Sequence, residues 1–408
     1  MSSSAAITGV GLATALGAGL ETTWEGLLTG RTAVRDVAAP EGLYPGRGPA
    51  PAAALLDDLS DVSAFGRRRL RALSRESLLV SRAGLLAWQD AGLDAGGRPA
   101  PEDLGVVLGT SGAGLTGYLQ VLRDGLTLGA DLVSPYAGPQ GSLNAAVSDL
   151  AIAADAEGPV ATVTAGRCSG AEALTLAADL VRTGQAEVVL VAGVDVLDPL
   201  RAGAGAVDGG TGDRAAPLPH PFGPDRTDSL PGEAVVVLVV EDADRARDRG
   251  ARIHAEVAAV STALGVTGDT EGEAAVRVVN TVLAAAGLAP GAVGLVCSSA
   301  DGSGPVDRAE AHALSRTLGS NTPVFTAFAA LGDCAGTTTL LQIALTAQVL
   351  TDGEMPATAG LADWDPALPQ LAVSDARRQL PGTTAALVLT SDDRPGASAV
   401  VLRVPRRS

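Results

Sequence analysis

Ala161-Thr162-Val163-Thr164-Ala165-Gly166-Arg167-Cys168-Ser169-Gly170-Ala171-Glu172-Ala173-Leu174 is the stretch whose reading decides the fold. A β-branched apolar run enters it, a glycine-containing turn follows, and an Ala/Leu-rich helical pattern leaves it. A strand, a sharp turn and a helix in that order set one side chain at the mouth of a helix N-terminus. A thiol placed there is favoured as thiolate by the helix dipole and the free amides. The turn position, however, is Arg167, and Cys168 comes one residue late.

Outward from this turn the chain alternates strand and helix patterns. Upstream, Ala5–Val10 reads as a buried strand, Glu21–Leu28 and Ser74–Ala91 as helices, and Leu104–Gly109 as a second strand. Gly114–Arg123 and Leu143–Ala154 read as helices joined by the proline-marked segment Ser134–Gly141. Downstream, Ala171–Arg182 continues as a helix, followed by buried strands at Val188–Asp195 and Ala234–Val240. A short charged helix over Asp242–Arg249 leads to a strand over Arg252–Val260 that contains His254. Glu273–Ala286, Val293–Ser299, Val306–Leu318, Val324–Thr326 and Thr337–Leu350 then alternate helix and strand, before strands at Ala385–Thr390 and Ala399–Val404. Residues 36–66 and Leu197–Leu230, rich in Gly, Pro and Asp, read as loops. The pattern predicts an α/β fold with mixed sheets between helical layers, in two similar halves over 1–245 and 246–408.

Composition excludes several functions. All 29 basic residues are arginine, so no mechanism here can use a lysine. A net charge of −17 with no basic run argues against nucleic acid. Three widely spaced cysteines (Cys168, Cys297, Cys334) suggest a reducing cytoplasm, not a disulfide framework. His220, His254 and His312 show no metal-ligand spacing, so neither metal nor cofactor is expected. The apolar run from Ala5 to Leu20 lacks a basic flank and recurs with glycine, which reads as a strand and turn and not as a signal peptide. No uninterrupted 18-residue apolar segment suggests a membrane span.

The order of motifs resembles the β-ketoacyl synthases of the thiolase fold. Ile7-Thr8-Gly9-Val10-Gly11, Leu104-Gly105-Val106-Val107-Leu108-Gly109-Thr110 and Pro221-Phe222-Gly223-Pro224-Asp225-Arg226 carry the resemblance, with Pro231-Gly232-Glu233 and Gly250-Ala251-Arg252-Ile253-His254-Ala255-Glu256-Val257. It implies two βα halves packed as helix–sheet–helix–sheet–helix layers. It also implies condensation of an acyl group with a malonyl carrier protein, by a cysteine nucleophile, two histidines and a supporting lysine. Matched residue by residue, the cysteine falls on Arg167, the first histidine on Asp301, the lysine on Phe328 and the second histidine on Asp333. The loop that gates the pocket and lends an oxyanion amide falls on Asp392-Asp393-Arg394-Pro395-Gly396.

This loss of every catalytic group, with Asp301-Gly302 and Val306-Asp307-Arg308-Ala309-Glu310-Ala311, resembles the degenerate chain length factor or ketosynthase β subunit of type II polyketide systems. Those subunits usually carry glutamine where Arg167 stands. The resemblance implies a non-catalytic subunit that heterodimerises with an active ketosynthase and meets the acyl carrier protein only through that partner. It implies a tunnel lining at Gly138, Gln140, Gly141, Ser142 and Leu143, and an interface strand at Val160–Thr164. An acyltransferase or condensing enzyme using Cys168 is the alternative, and a structural homodimer a third reading. If the fold is as expected, Arg167 converges with Asp301 and Asp333 in an ion cluster that fills the dead site, the two aspartates offering bidentate acceptors.

Overall fold

The computed structural model describes residues 4–37, 50–53, 73–94, 97–135, 137–197, 218–226, 229–265, 272–361, 363–393 and 396–406. Most of the expected loops at 36–66 and Leu197–Leu230 lies outside the described residues, as do Arg394 and Pro395 of the gate segment. Ten strands carry the core: β1 (Ala5–Thr14), β2 (Leu104–Gly109), β3 (Val160–Val163), β4 (Val188–Asp195), β5 (Ala234–Asp242), β6 (Ala255–Leu264), β7 (Leu295–Ser298), β8 (Pro323–Phe325), β9 (Ala385–Ser391) and β10 (Gly396–Arg403). The helices are α1 (Leu20–Leu28), α2 (Arg75–Asp90), α3 (Leu115–Thr127), α4 (Ala137–Gln140), α5 (Ala145–Ala154) and α6 (Ser169–Arg182). They continue as α7 (Ala243–Asp248), α8 (Glu273–Ala286), α9 (Gly304–Thr317), α10 (Phe328–Leu331) and α11 (Thr338–Asp352).

With Gly17–Ala18 beside β1 and Ala372–Val373 beside β8, the ten strands form one 12-stranded sheet. Its pairing repeats. From β1 through β5, β4, β2 and β3 the neighbours run antiparallel, antiparallel, parallel, parallel. From β6 through β10, β9, β7 and β8 they run in the same order. Among the described residues the two sets pair strand to strand at Ala5↔Val257, Ala6↔Glu256 and Ile7↔Ala255. The duplication that the sequence shows only weakly is therefore explicit in the topology.

Helices complete five layers: α2 and α5 outside the first strand set, α6 and α11 between the sets, α8 and α9 outside the second. Strand alternation divides the side chains accordingly. Val189 and Val191 of β4 face the central core with α6 and α11, while Val188, Leu190 and Ala192 face the outer core under α2 and α5. Helix α11 is buried on nearly every side, from Thr338 to Leu350, as expected for a helix between two sheets. Helix α2 begins where Ser74 caps the Ser77 amide and lies unusually close to β1. A Cβ on Gly9 would stand 2.2 Å from the Ala87 carbonyl oxygen, and one on Gly11 would stand 2.0 Å from that of Ala83. The glycines thus mark a close helix approach within a strand, and β1 runs on to Thr14 instead of turning after Val10. His254 is corrected likewise: it precedes β6, its ring bonds to Asp90 at 2.7 Å, and its amide donates to the Ile7 carbonyl.

Candidate functional site

Parallel strands β2, β3 and β4 all end at one edge, and the turn after β3 delivers Arg167 there. Gly166 takes φ +57°, a left-handed value that suits glycine. The Ser169 hydroxyl accepts from the Ala165 amide at 2.8 Å and lies 2.6 Å from the Gly166 carbonyl, locking the turn onto α6. Arg167 is 7% exposed, a buried cation at a helix N-terminus. The dipole opposes it there by about 0.3–1 kcal/mol, and unpaired burial would cost far more.

Two aspartates offset that cost. Asp301, 1% exposed in the turn after β7, places Oδ2 3.1 Å from Arg167 Nη2. Asp333, just beyond α10, places Oδ1 3.3 Å from Nε. Nη2 also donates to the Ser299 carbonyl at 3.3 Å, and the Arg167 carbonyl accepts from Thr339 Oγ1 at 3.3 Å. The ion-pair contacts are Nη2 to Asp301 Oδ2 and Nε to Asp333 Oδ1, and neither has hydrogen-bond geometry at Nε or at Asp301 Oδ2. This corrects the expectation of bidentate acceptors. The carboxylates are instead committed to their own turns: Asp301 Oδ1 accepts from the Ser303 amide at 3.0 Å and Asp333 Oδ1 from the Ala335 amide at 2.9 Å.

Electrostatics follow from burial. Desolvation disfavours the Arg167 cation, but Asp333, Asp301, Glu310 and Asp392 more than offset it, so its pKa is raised. Burial raises Asp301 against the pull of Arg167. Behind this pair, α9 holds two more buried acids. Asp307 accepts from the amides of Phe222 (2.6 Å), Asp301 (3.1 Å) and Gly302 (3.2 Å), and burial, reinforced by Asp301, pushes its carboxyl up to about 8. Glu310 bonds with both Ser298 and Ser299, and burial pushes it up to about 7. Phe328 does not join the ion cluster: its ring is 1% exposed within the central apolar core.

Cys168 directly follows Arg167 at the N-cap of α6 but is 3% exposed. Burial pushes its thiol up to about 12, outweighing the hydrogen bond with Ser398 and the nearby Arg167 charge. The activation expected of a thiol at this turn is therefore overturned by desolvation. His220 bonds to the Gly360 carbonyl at 3.0 Å, and His312 lies within α9. Among the described residues no group of His, Cys, Asp or Glu could hold a metal ion.

The resemblance puts Asp392 at the start of the gate loop but implies no contact between its carboxylate and Arg167. Asp392 opens the turn between β9 and β10, and its Oδ2 accepts the Arg167 amide at 2.8 Å. An acidic residue in place of an apolar gate was the available signal, but only folding places it against α6.

The segment around α4 lies at the surface of the chain. Gly138, Ser142 and Leu143 are exposed, and Gln140 and Gly141 half-buried. Leu143 is accompanied by exposed Tyr118, Leu122 and Leu126 of α3, with Leu128 and Leu132 just beyond it. Gly141 answers to packing: a Cβ there would stand 2.8 Å from the Tyr118 backbone nitrogen, whereas one on Gly138 meets nothing within 4 Å. Strand β3 is the outer strand on its side of the sheet, with Val160 exposed.

With this geometry in hand, comparisons with known proteins are specific. Residues 2–246 match the family model for the beta-ketoacyl synthase N-terminal domain, and residues 254–362 that for the C-terminal domain. The chain is 30% identical over 378 residues to 3-oxoacyl-[acyl-carrier-protein] synthase 2 of Mycobacterium tuberculosis, covering 88% of each chain. It is 29% identical over 388 residues to the tetracenomycin polyketide synthase ketoacyl synthase alpha subunit of Streptomyces glaucescens, again covering 88% of each. Among solved structures, the ishigamide ketosynthase/chain length factor superposes with a TM-score of 0.86 at 21% identity, over 99% of this chain and 100% of that one.

Proposed function

The chain belongs to the β-ketoacyl synthase family, and from that premise we propose that it is a non-catalytic subunit of a type II polyketide synthase, of the chain length factor kind. One observation carries the reading: a buried arginine, paired with two aspartates, fills the elbow. Arginine stays protonated and serves neither as nucleophile nor as general base. Asp301 and Asp333 repel a malonyl carboxylate where donors to its thioester are needed. No imidazole stands in this cluster to take over their part.

The proposed partner is an active ketosynthase, joined along β3 and the apolar surface of α3 and α4. The acyl carrier protein meets this chain through that partner. Gly138, Gln140, Gly141, Ser142 and Leu143 then border the acyl tunnel at the interface, and a growing chain stops when it meets their wall. Overfilling a packed cavity costs about 1–3 kcal/mol, a roughly ten- to hundredfold slowing of the next elongation.

The alternative, an acyltransferase using Cys168, has against it a buried thiol pushed up to about 12. Co-expression with a ketosynthase that has its Cys/His/His set intact tests the proposal. A stable heterodimer that makes product of defined length is expected, with no release of carbon dioxide from malonyl carrier protein by this chain alone. Decarboxylation by the isolated chain, or acylation of Cys168, would overturn it.

A further inference from the structure

In the turn leading into α6, the Cys168 amide donates to the Ala165 carbonyl at 3.1 Å and the Ser169 amide to the Gly166 carbonyl at 3.2 Å. The Arg167 amide donates instead to Asp392 Oδ2 at 2.8 Å. The carboxylate is delivered from across the molecule by the turn between β9 and β10, where the Asp392 amide donates to the Gly396 carbonyl at 3.0 Å. It fits the elbow closely. A Cβ on residue 166 would stand 2.2 Å from the same Oδ2, so only glycine leaves room for the carboxylate. The oxygen also adds its charge to those stabilising the Arg167 guanidinium.

Acyl transfer at an elbow needs backbone amides aimed at the oxygen that becomes negative as the thioester is attacked. Here that amide is already bonded to a full negative charge held by the protein itself. We propose that Asp392 is a specificity-determining plug that denies acyl thioesters to this chain's own elbow, leaving the partner's elbow as the one that takes the acyl group. The inference rests on the non-catalytic reading but concerns a different residue and a different atom. It implies that deleting the carboxylate uncovers a position for a small carboxylate ion at the N-terminus of α6.

The full chain is compared with its Asp392→Ala and Asp392→Asn variants by thermal melting in sodium formate and in sodium chloride at equal ionic strength. The plug predicts that Asp392→Ala melts lower than the parent and that formate restores part of the loss. The parent, whose amide is occupied, should show no formate effect, and Asp392→Asn, which keeps an acceptor oxygen, should need less rescue. A second measurement holds if Asp392→Ala does not fold. Arg167→Cys is alkylated by iodoacetamide with and without Asp392→Asn, both in a Cys168→Ser background. Loss of the carboxylate charge should speed alkylation of the introduced thiol by about tenfold, the effect of about one pKa unit on its thiolate fraction. Equal formate responses in parent and variant, or equal alkylation rates, overturn the plug. Failure to pair with a ketosynthase overturns the functional reading and leaves these measurements standing.

Discussion

Arg167 ties together segments that are distant in sequence: the turn after β7 through Ser299 and Asp301, the loop beyond α10 through Asp333, α11 through Thr339, and the β9–β10 turn through Asp392. Removing one member of a buried pair leaves the other uncompensated, at about 3–5 kcal/mol. Asp301→Ala should therefore lower the unfolding free energy by that order, measured by denaturant titration. Asp333→Ala should cost less, since its side chain is 25% exposed and partly screened by solvent. Arg167→Cys should restore no condensation with malonyl carrier protein, because aspartates stand where donors are needed. The acids on α9 give a pH signature. Asp307 and Glu310 bind protons more tightly folded than unfolded, with folded values pushed to about 8 and about 7. Their stabilisation is complete below the unfolded carboxylate range, about pH 4, and is lost as pH rises through the folded values. Melting temperature should fall between about pH 5 and about pH 8.5, and Asp307→Asn or Glu310→Gln should flatten that slope. A flat parent profile would refute this.

Strand β3 shows how an element can serve the fold on one side and a partner on the other. The carbonyls of Pro159 and Val163 accept from the amides of Val106 on β2 and of Thr110 directly after it. Main-chain groups alternate sides along a strand, so those of Val160 and Thr162 face the open edge. Thr162→Pro removes an outward donor while sparing the β2 ladder. It should abolish co-purification with the ketosynthase yet leave the circular dichroism of the isolated chain intact; retained pairing would exclude β3 from the interface. The opposite case is β1 against α2, where backbone meets backbone. Gly11→Ala forces a Cβ against the Ala83 carbonyl, and overpacking of this kind costs about 1–3 kcal/mol. A melting temperature equal to the parent's would show that α2 can move away.

For the whole molecule, tunnel length is the property to test. Gly141→Trp is a poor probe, because its side chain runs into the α3 backbone. Gly138→Trp and Ser142→Phe project from open or exposed positions and should shorten the product of the reconstituted pair. An unchanged length distribution in both would remove this segment from the tunnel. Charge acts at the same scale. A chain carrying −17 repels acidic carrier proteins, more so at low salt. Reversing surface arginines on this subunit should leave turnover nearly unchanged, and loss of turnover in an intact complex would move carrier docking here.

The order of strands and helices was legible in the sequence because strand and helix periods leave their own apolar patterns. Glu273–Ala286 lies where the pattern put it, and Val188–Asp195 likewise. The substitutions at Arg167, Asp301, Phe328 and Asp333 were legible too, since residue identity alone rules out a nucleophile, an imidazole or a lysine there. Burial was not. It raises the pKa of Cys168, which local sequence placed at an activating helix end, and it raises the proton affinity of Asp307 and Glu310. Nor did Gly9, Gly11 and Gly141 announce that helix or backbone lies against them, because a missing side chain looks the same in a turn and in a contact. The carboxylate of Asp392 on the Arg167 amide spans 225 positions of sequence. The convergence of Arg167 with Asp301 and Asp333 could be expected from the residues at those positions. Only the closing of the second strand set over α6, however, brings Asp392 to the Arg167 amide, so tertiary structure alone decided that contact.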